Sequence, residues 1–241
     1  MRAMTPKLPR RFRRKQLGIL SLTNLCGFGG RRSAVAGATP KILAYEAGVN
    51  STSNLTTYTF SAADIGTAAA DRMVHVVVAG RATTARTVSS VTIGGVTATA
   101  NVFTSSGSLV NVGIYTAAVP TGDTGDVVVT WSGAMTSMRI GVWSSTGLSS
   151  ATAFDADTSA ASPGTATLST TSGGFCICGV VDSAGDAAAF TWANVTERSD
   201  GLLESNISIG FADETTNGAD ISPSVTYANA PTSYCAVFAT F

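Results

Sequence analysis

Few residues in this 241-residue chain could carry out chemistry, and they are scattered. His75 is the only histidine, and a nucleophilic triad needs a base. It lies inside the apolar run 73–79, which reads as a central strand, where a packed or hydrogen-bonded histidine is the expected state. The sequence therefore predicts a structural histidine and no catalytic residue.

Carboxylates occur in three close groups, and a glycosidase would need two such groups facing one cleft. The groups are Asp155 with Asp157, Asp182 with Asp186, and Asp213-Glu214 near Asp220. Their neighbours are Ser, Thr, Asn and Gly, so the expected setting is a solvated loop. The segment 213–220 could chelate calcium, although it lacks EF-hand spacing. We predict no enzymatic activity, no metal and no cofactor.

Two further patterns resemble ligand sites. Trp131, Trp143 and Trp192 could form a sugar platform, but such residues more often anchor a β core. The glycine-rich segment 27–30, followed by Arg31 and Arg32, lacks the strand, lysine and helix that frame a phosphate-binding loop. Neither pattern predicts a binding site.

The four cysteines do not form a metal-binding pattern. Cys176 and Cys178 are two residues apart in a strand-like run, so their side chains point to one face. Their spacing is near the upper limit for a disulfide, and small buried hydrophobes are the favoured alternative. Cys235 lies in the last strand and could neighbour either one. Cys26, near the N-terminus, is the candidate for an interchain disulfide.

The elements that must position these residues are short strands. From Ala44 onward about a dozen strand-like runs alternate with turn signals, and Gly94-Gly95 predicts a two-residue hairpin between 88–93 and 96–103. The predicted fold class is an all-β, antiparallel two-sheet β-sandwich, jelly-roll-like. Residues 144–163 are a candidate linker. We nevertheless expect a single domain over 44–241, because each half alone would leave long sheet edges open.

The N-terminal segment differs sharply from this body. The first 32 residues contain nine Lys and Arg and no acidic residue, whereas the rest contains six basic and fifteen acidic residues. A basic, Gly-rich segment cannot form a core, so residues 1–43 are predicted to be an arm that acts on a partner. Its apolar run, 17–25, is interrupted by polar residues, and we expect neither a signal peptide nor a membrane partner. The candidate assembly residues are Arg10, Arg11, Phe12, Arg13, Arg14, Lys15, Leu17, Ile19, Leu20, Leu22, Leu25, Arg31 and Arg32.

An ordered series of segments in the body points to a protein family. The series comprises 57–60, 64–66, 71–79, 89–96, 119–129, 140–143, 173–175, 190–197 and a C-terminal ending of small residues and Phe. In order and spacing it resembles β-sandwich structural proteins of tailed bacteriophages, which occupy neck, tail-fibre or head-decoration positions. The resemblance covers roughly residues 50–241 and excludes the arm. It implies a location in the virion and no cofactor, and it supplies no catalytic residues.

Together these observations predict a non-enzymatic virion protein whose basic arm docks into the particle while the acidic sandwich faces outward. The expected partners are other virion proteins and copies of the chain itself, with a trimer expected by analogy with the family. Two alternatives stay open. One is a receptor- or glycan-binding tip module, and the other is a capsid shell protein whose arm contacts packaged nucleic acid. Nucleic acid is the less favoured partner, because nine charges neutralise few phosphates.

Overall fold

A computed structural model of the chain describes residues 41–107, 109–183, 189–204, 206–216, 218–229 and 231–241. These residues lie in one compact unit, Ala38–Phe241. They form antiparallel strands joined by turns, with no helix among them. The predicted all-β, antiparallel β-sandwich is confirmed. The first strand begins at Ile42, two residues before the boundary predicted at 43/44.

Nine strands lie in the first half of the described chain. They are β1 (Ile42–Ser51), β2 (Leu55–Asp64), β3 (Met73–Arg81), β4 (Val88–Ile93), β5 (Val96–Thr97), β6 (Thr99–Ser106), β7 (Val110–Ala118), β8 (Thr124–Met135) and β9 (Ser137–Thr146). Eight strands follow in the second half. They are β10 (Asp155–Ser159), β11 (Gly164–Thr165), β12 (Phe175–Asp182), β13 (Phe190–Ala193), β14 (Thr196–Glu204), β15 (Ile207–Thr215), β16 (Ser224–Tyr227) and β17 (Tyr234–Thr240).

These strands form four sheets, two in each half. We call β1–β9 repeat 1 and β10–β17 repeat 2. Repeat 1 has an inner sheet of order β1-β9-β3-β7-β6 and an outer sheet of order β2-β8-β4-β5. Repeat 2 has an inner sheet of order β10-β17-β12-β15-β14 and an outer sheet of order β11-β16-β13.

Three apolar cores separate the sheets and establish their order in space. The first, around Trp131, lies between the two sheets of repeat 1. The second, around Trp143 and Phe211, lies between the two inner sheets. The third, around Phe190 and Phe238, lies between the two sheets of repeat 2. The body is a stack of four sheets, so the two-sheet sandwich expected from the sequence occurs twice.

The burial pattern of the inner strands explains why the body contains four sheets and not two. Strands β3, β7, β12, β15 and β17 are buried along almost their whole length. A strand with one solvated face alternates between apolar and polar residues, whereas a continuous apolar run is typical of a strand covered on both faces. Outer strand β8 does alternate, with Val127, Val129 and Trp131 buried and the residues between them only partly so. Each inner sheet therefore needs a layer on both sides.

The two repeats share one topology, strand for strand. In the inner sheet of repeat 2, strands β10, β17, β12, β15 and β14 take the places of β1, β9, β3, β7 and β6. In the outer sheet, β11, β16 and β13 take the places of β2, β8 and β4. Strands β1 to β4 alternate between the two sheets of repeat 1, as do β7 to β9, which is the winding of a jelly roll.

Strand pairing also defines equivalent residues. Strands β7 and β15 are each nine residues long, and their fifth residues, Ile114 and Phe211, pair with Val77 and Gly179 respectively. Val77 and Gly179 are thus equivalent, and they meet in the molecule, since a Cβ added at Gly179 would overlap Val77. An interface at which equivalent residues meet is isologous, so the repeats pack about an approximate two-fold axis.

Local turn chemistry follows the sequence. The predicted turn is confirmed, with Gly94 and Gly95 at φ values of 56° and 80°, which a two-residue primed turn requires. The predicted partner strand 96–103 is wrong beyond Thr97, because only Val96 and Thr97 pair with β4 and residues 99–106 form β6 in the inner sheet. The chain passes from repeat 1 to repeat 2 between Thr146 and Asp155. This crossing falls inside the 144–163 segment proposed as a linker.

The equivalent ends of the two repeats lie at the same end of the stack. In repeat 1, the start of β1 pairs with the end of β9, Ile42 opposite Thr146. In repeat 2, the start of β10 pairs with the end of β17, Asp155 opposite Thr240. We call this the Lys41 end, because Lys41 donates a hydrogen bond to Thr171 there.

Contacts between the two inner sheets show that the equivalent ends of the repeats lie at the same end of the stack. Near the Lys41 end, the rings of His75 and Phe175 lie edge to face, with centroids 5.4 Å apart. At the opposite end, Arg81 Nη1 donates to Asn206 Oδ1 over 2.9 Å. The loops that join β3 to β4 and β14 to β15 therefore lie together, at the end remote from Lys41.

Candidate functional site

The predicted assembly residues of the arm lie outside the described residues. They are Arg10, Arg11, Phe12, Arg13, Arg14, Lys15, Leu17, Ile19, Leu20, Leu22, Leu25, Arg31 and Arg32, together with Cys26 as the disulfide candidate. Their roles stay predictions. The candidate residues that the structure does describe lie in the two sandwiches formed by repeat 1 and repeat 2, which together we call the double sandwich.

His75 is a structural residue, as the sequence predicts. It is fully buried and hydrogen-bonded on both ring nitrogens, to Thr116 Oγ1 at 2.9 Å and to Ser145 Oγ at 2.8 Å. The rings of Phe175 and Phe241 lie edge to face against it. Burial lowers the pKa of His75 to about 3, so the imidazole is neutral at physiological pH.

The described cysteines are all free thiols, and all three lie in repeat 2. Cys176 and Cys178 point to one face, as predicted, with their sulfur atoms 3.6 Å apart in the core between the inner and outer sheets. Cys235 belongs to the core between the inner sheets, on the other face. It is therefore not a side-chain neighbour of either one. Burial raises the pKa of the Cys178 thiol well above its usual range.

The three tryptophans lie in three different layers. Trp131 is buried between the sheets of repeat 1, and Trp143 is buried between the inner sheets. Trp192 packs on the core of repeat 2. Because the rings are separated by whole sheets, they form no common sugar platform.

A polar network between the repeats was not foreseen from the sequence. Asp213, on β15, is buried and accepts hydrogen bonds from Trp143 Nε1 at 2.7 Å and from Arg198 at 2.8 Å through each carboxylate oxygen. Arg139, on β9, donates to Ser199 on β14, and its guanidinium lies 5.6 Å from the centre of the Phe211 ring. These bonds fasten repeat 1 to repeat 2.

The network depends on a difference in residue type between equivalent positions of the two repeats. His75 pairs with Thr116 and Trp143, whereas the equivalent Ile177 pairs with Asp213 and Ala239. The large indole of repeat 1 thus donates to a carboxylate that stands where repeat 1 has a threonine. The sequence contains no signal for this pairing, because it depends on how the two repeats meet.

The other carboxylate groups cap loops and strands and do not face one cleft. Asp155 accepts hydrogen bonds from the backbone N–H groups of Ala156 and Ser169, and Asp157 accepts one from Thr158. Asp182 is buried at the end of β12, so the solvated loop expected for it is wrong, and Asp186 lies outside the described residues. No group of three or more His, Cys, Asp or Glu in the described part of the chain is arranged to hold a metal ion.

An open concavity of about 550 Å³ lies at the Lys41 end of repeat 2. Its lining includes Glu214, Thr216 and Asp220, together with Asn194 and Ile221. Glu214 accepts a hydrogen bond from Thr196, and Asp220 is exposed. Thr216 is only 6% exposed, and its hydroxyl has no hydrogen-bond partner among the described residues. We call this surface the acidic concavity.

Charge separates the two repeats. Residues 41–146 contain five basic and five acidic side chains, whereas residues 147–241 contain one basic and ten acidic side chains. The net charges are therefore 0 (5 − 5) for repeat 1 and −9 (1 − 10) for repeat 2. The single cation of repeat 2, Arg198, is paired with Asp213. Counting charge by halves would have revealed this asymmetry from the sequence.

No protein family, curated protein or solved structure matches the chain. The resemblance to phage structural proteins stays a prediction. The described residues include no helix that could span a membrane.

Proposed function

We propose that the chain is a non-enzymatic structural protein of a tailed-bacteriophage virion, assembled in the bacterial cytoplasm. Its basic arm docks into the particle, and the double sandwich is displayed outward as a decoration, collar or fibre component. The observation that carries the proposal is the division of the chain into a basic arm, with a net charge of +9 over residues 1–32, and a four-layer β body.

The geometry of the body supports this division of labour. Lys41, the first described residue, lies at one end of the stack. The loops of both repeats around Arg81 and Asn206 lie at the other end, remote from Lys41. A body held at its Lys41 end would present both repeats in the same direction, which suits display from a surface.

The buried residues argue against the strongest alternative activities. His75 is neutral, enclosed and hydrogen-bonded on both nitrogens, so it is not placed to serve as a base. The tryptophans lack a common face, so they give no support to a glycan-binding tip, which would have to bind through its loops. The proposal thus needs no ligand pocket, only surfaces that bind protein.

The test is direct. Mass spectrometry of purified particles should find the full chain, and a variant that lacks residues 1–40 should give a soluble, folded body that no longer joins the particle. Normal incorporation of the truncated chain would contradict the role of the arm, and absence of the full chain from particles would contradict the function.

Two further measurements separate the remaining partners. If the arm binds protein, the isolated chain should hold DNA weakly and release it at moderate salt; binding that persists at about 0.2 M salt would favour the capsid alternative. Light scattering on the truncated body tests self-association through body surfaces, for which we propose a homo-oligomer, with a trimer by analogy. A monomer at high micromolar concentration would leave assembly to the arm.

A further inference from the structure

The charge pattern of the chain has three parts. Residues 1–32 carry nine basic side chains and no acid, repeat 1 has no net charge, and repeat 2 has a net charge of −9. The positive and negative parts are equal in size and separated by a neutral repeat. Such a chain carries two segments of opposite net charge, the N-terminal arm and repeat 2, which complement each other electrostatically.

The negative charge of repeat 2 is not neutralised within the described body. The ion pairs between described residues are Arg198 with Asp213 and Arg81 with Glu204. Glu197, Glu214 and Asp220 are in neither pair. Burial raises the pKa of Glu197, and the nearby charge of Asp200 raises it further, as expected where acidic groups crowd one another.

Two of these three carboxylates lie on a concave surface whose lining also includes a residue with an unpartnered hydroxyl. Glu214 and Asp220 line the acidic concavity, and Glu197 lies next to Thr196, which donates to Glu214. The hydroxyl of Thr216, in the lining, is buried without a described partner. A buried hydroxyl in that state favours a ligand that brings a donor or acceptor to it.

We propose that the acidic concavity of repeat 2 is the docking site for the basic arm of a second copy of this chain. The proposal rests on the proposed function, which makes the arm an assembly device, and it names the partner of that arm. Arginine side chains are suited to it, because a guanidinium binds a carboxylate through two parallel hydrogen bonds. The contact is heterologous, so successive copies would close a ring or extend a filament.

The experiment compares full-length variants by sedimentation velocity after nuclease treatment. The acceptor variant carries Glu197→Gln, Glu214→Gln and Asp220→Asn. The matched control carries Asp64→Asn, Asp71→Asn and Asp126→Asn, which make the same change in net charge in repeat 1. The donor variant replaces Arg10, Arg11, Arg13, Arg14 and Lys15 with Gln.

We expect the wild-type chain to self-associate at low salt and to dissociate as salt screens the charges. The acceptor variant should weaken association about tenfold, and the control less than about twofold. Mixing the donor and acceptor variants should restore one contact and give a 1:1 heterodimer that cannot extend.

Three outcomes would overturn the proposal. They are a monomeric wild type at low salt, equal weakening by the acceptor variant and its control, and no heterodimer on mixing. Association lost on nuclease treatment would assign the arm to nucleic acid and would likewise overturn it. None of these results bears on whether the chain is found in particles, so failure of this proposal is distinguishable from failure of the proposed function.

Discussion

Repeat 1 and repeat 2 have the same strand order but differ in what their side chains do. Repeat 1 balances five cations against five acids and contains the buried His75 and Trp143, whereas repeat 2 has ten acids and all three described cysteines. Their inner sheets nevertheless bury a single continuous core. The comparison teaches that the topology tolerates wide changes in composition, provided the facing surfaces stay complementary.

The largest expected effect comes from breaking the contact between the repeats. We expect Trp143→Ala to reduce the free energy of unfolding by about 3–5 kcal/mol, because it empties a buried indole site in the shared core. Urea denaturation measures this loss.

Trp143→Phe is the matched control for that substitution. It keeps a ring against Tyr45 and Phe211 but removes the N–H donor to Asp213, so it should cost about 1–3 kcal/mol. Equal losses for the two variants would mean that the hydrogen bond, and not ring packing, joins the repeats.

The next effect is the pH dependence of stability at His75, whose equivalent in repeat 2 is Ile177. The pKa of His75 is about 3 in the folded chain and returns to an ordinary value of 6.5 on unfolding. Above about pH 6.5 both states are neutral and His75 adds no pH dependence. As the pH falls from about 6.5 towards 3, the unfolded state alone takes up the proton, so stability falls by up to about 1.4 kcal/mol per pH unit.

His75→Ile, which introduces the equivalent residue of repeat 2, should remove this contribution whatever it does to stability at pH 7. Urea midpoints from pH 7 to pH 4 measure it. An unchanged slope in the variant would show that the carboxylates dominate the acid sensitivity.

A smaller effect is expected at the approximate two-fold axis. Gly179→Ala should cost about 1–3 kcal/mol, because the new methyl group overlaps Val77, whose branched side chain has little freedom to move. Combining it with Val77→Ala should recover part of that loss relative to the sum of the two single changes. If the stability losses of the two single variants simply add in thermal unfolding, the strain does not come from contact between these two residues.

The smallest effect concerns whether the two repeats unfold at the same urea concentration. The described thiols report only on repeat 2, and once Trp192 is replaced by Phe the remaining tryptophans, Trp131 and Trp143, report on strands of repeat 1. In a Cys26→Ser background we expect no fast-reacting thiol at neutral pH, because Cys176, Cys178 and Cys235 are buried. If the two repeats unfold as one unit, thiol exposure and Trp fluorescence should change at the same urea concentration. Separate transitions would show that repeat 2 opens alone.

Much of the fold was predictable from the chain itself, because strand signals are local. The Gly94-Gly95 hairpin, the buried run around His75 and the alternation in β8 all follow from residue spacing. The number of sheets was not predictable in the same way. The unbroken apolar strands indicate burial on both faces, but they do not say whether the second cover comes from the same chain.

The polar network between the repeats was harder to predict from the sequence than the number of sheets. Trp143 and Asp213 are 70 residues apart, and neither has a sequence neighbour that indicates the bond between them. The acidic bias of repeat 2 was an exception, because counting charge on either side of the 144–163 segment would have revealed it. Long-range pairing, rather than local propensity, determined what was missed.

The meeting of Val77 with Gly179 has a consequence for recognition between copies. If repeat 1 paired with another repeat 1 in the same geometry, two valines would compete for the space that one valine and one hydrogen now share. If repeat 2 paired with another repeat 2, two glycines would leave a gap between the sheets. Each half therefore packs better on its unlike counterpart than on a copy of itself, so this position disfavours pairing of two identical halves but permits exchange of unlike halves between neighbouring chains.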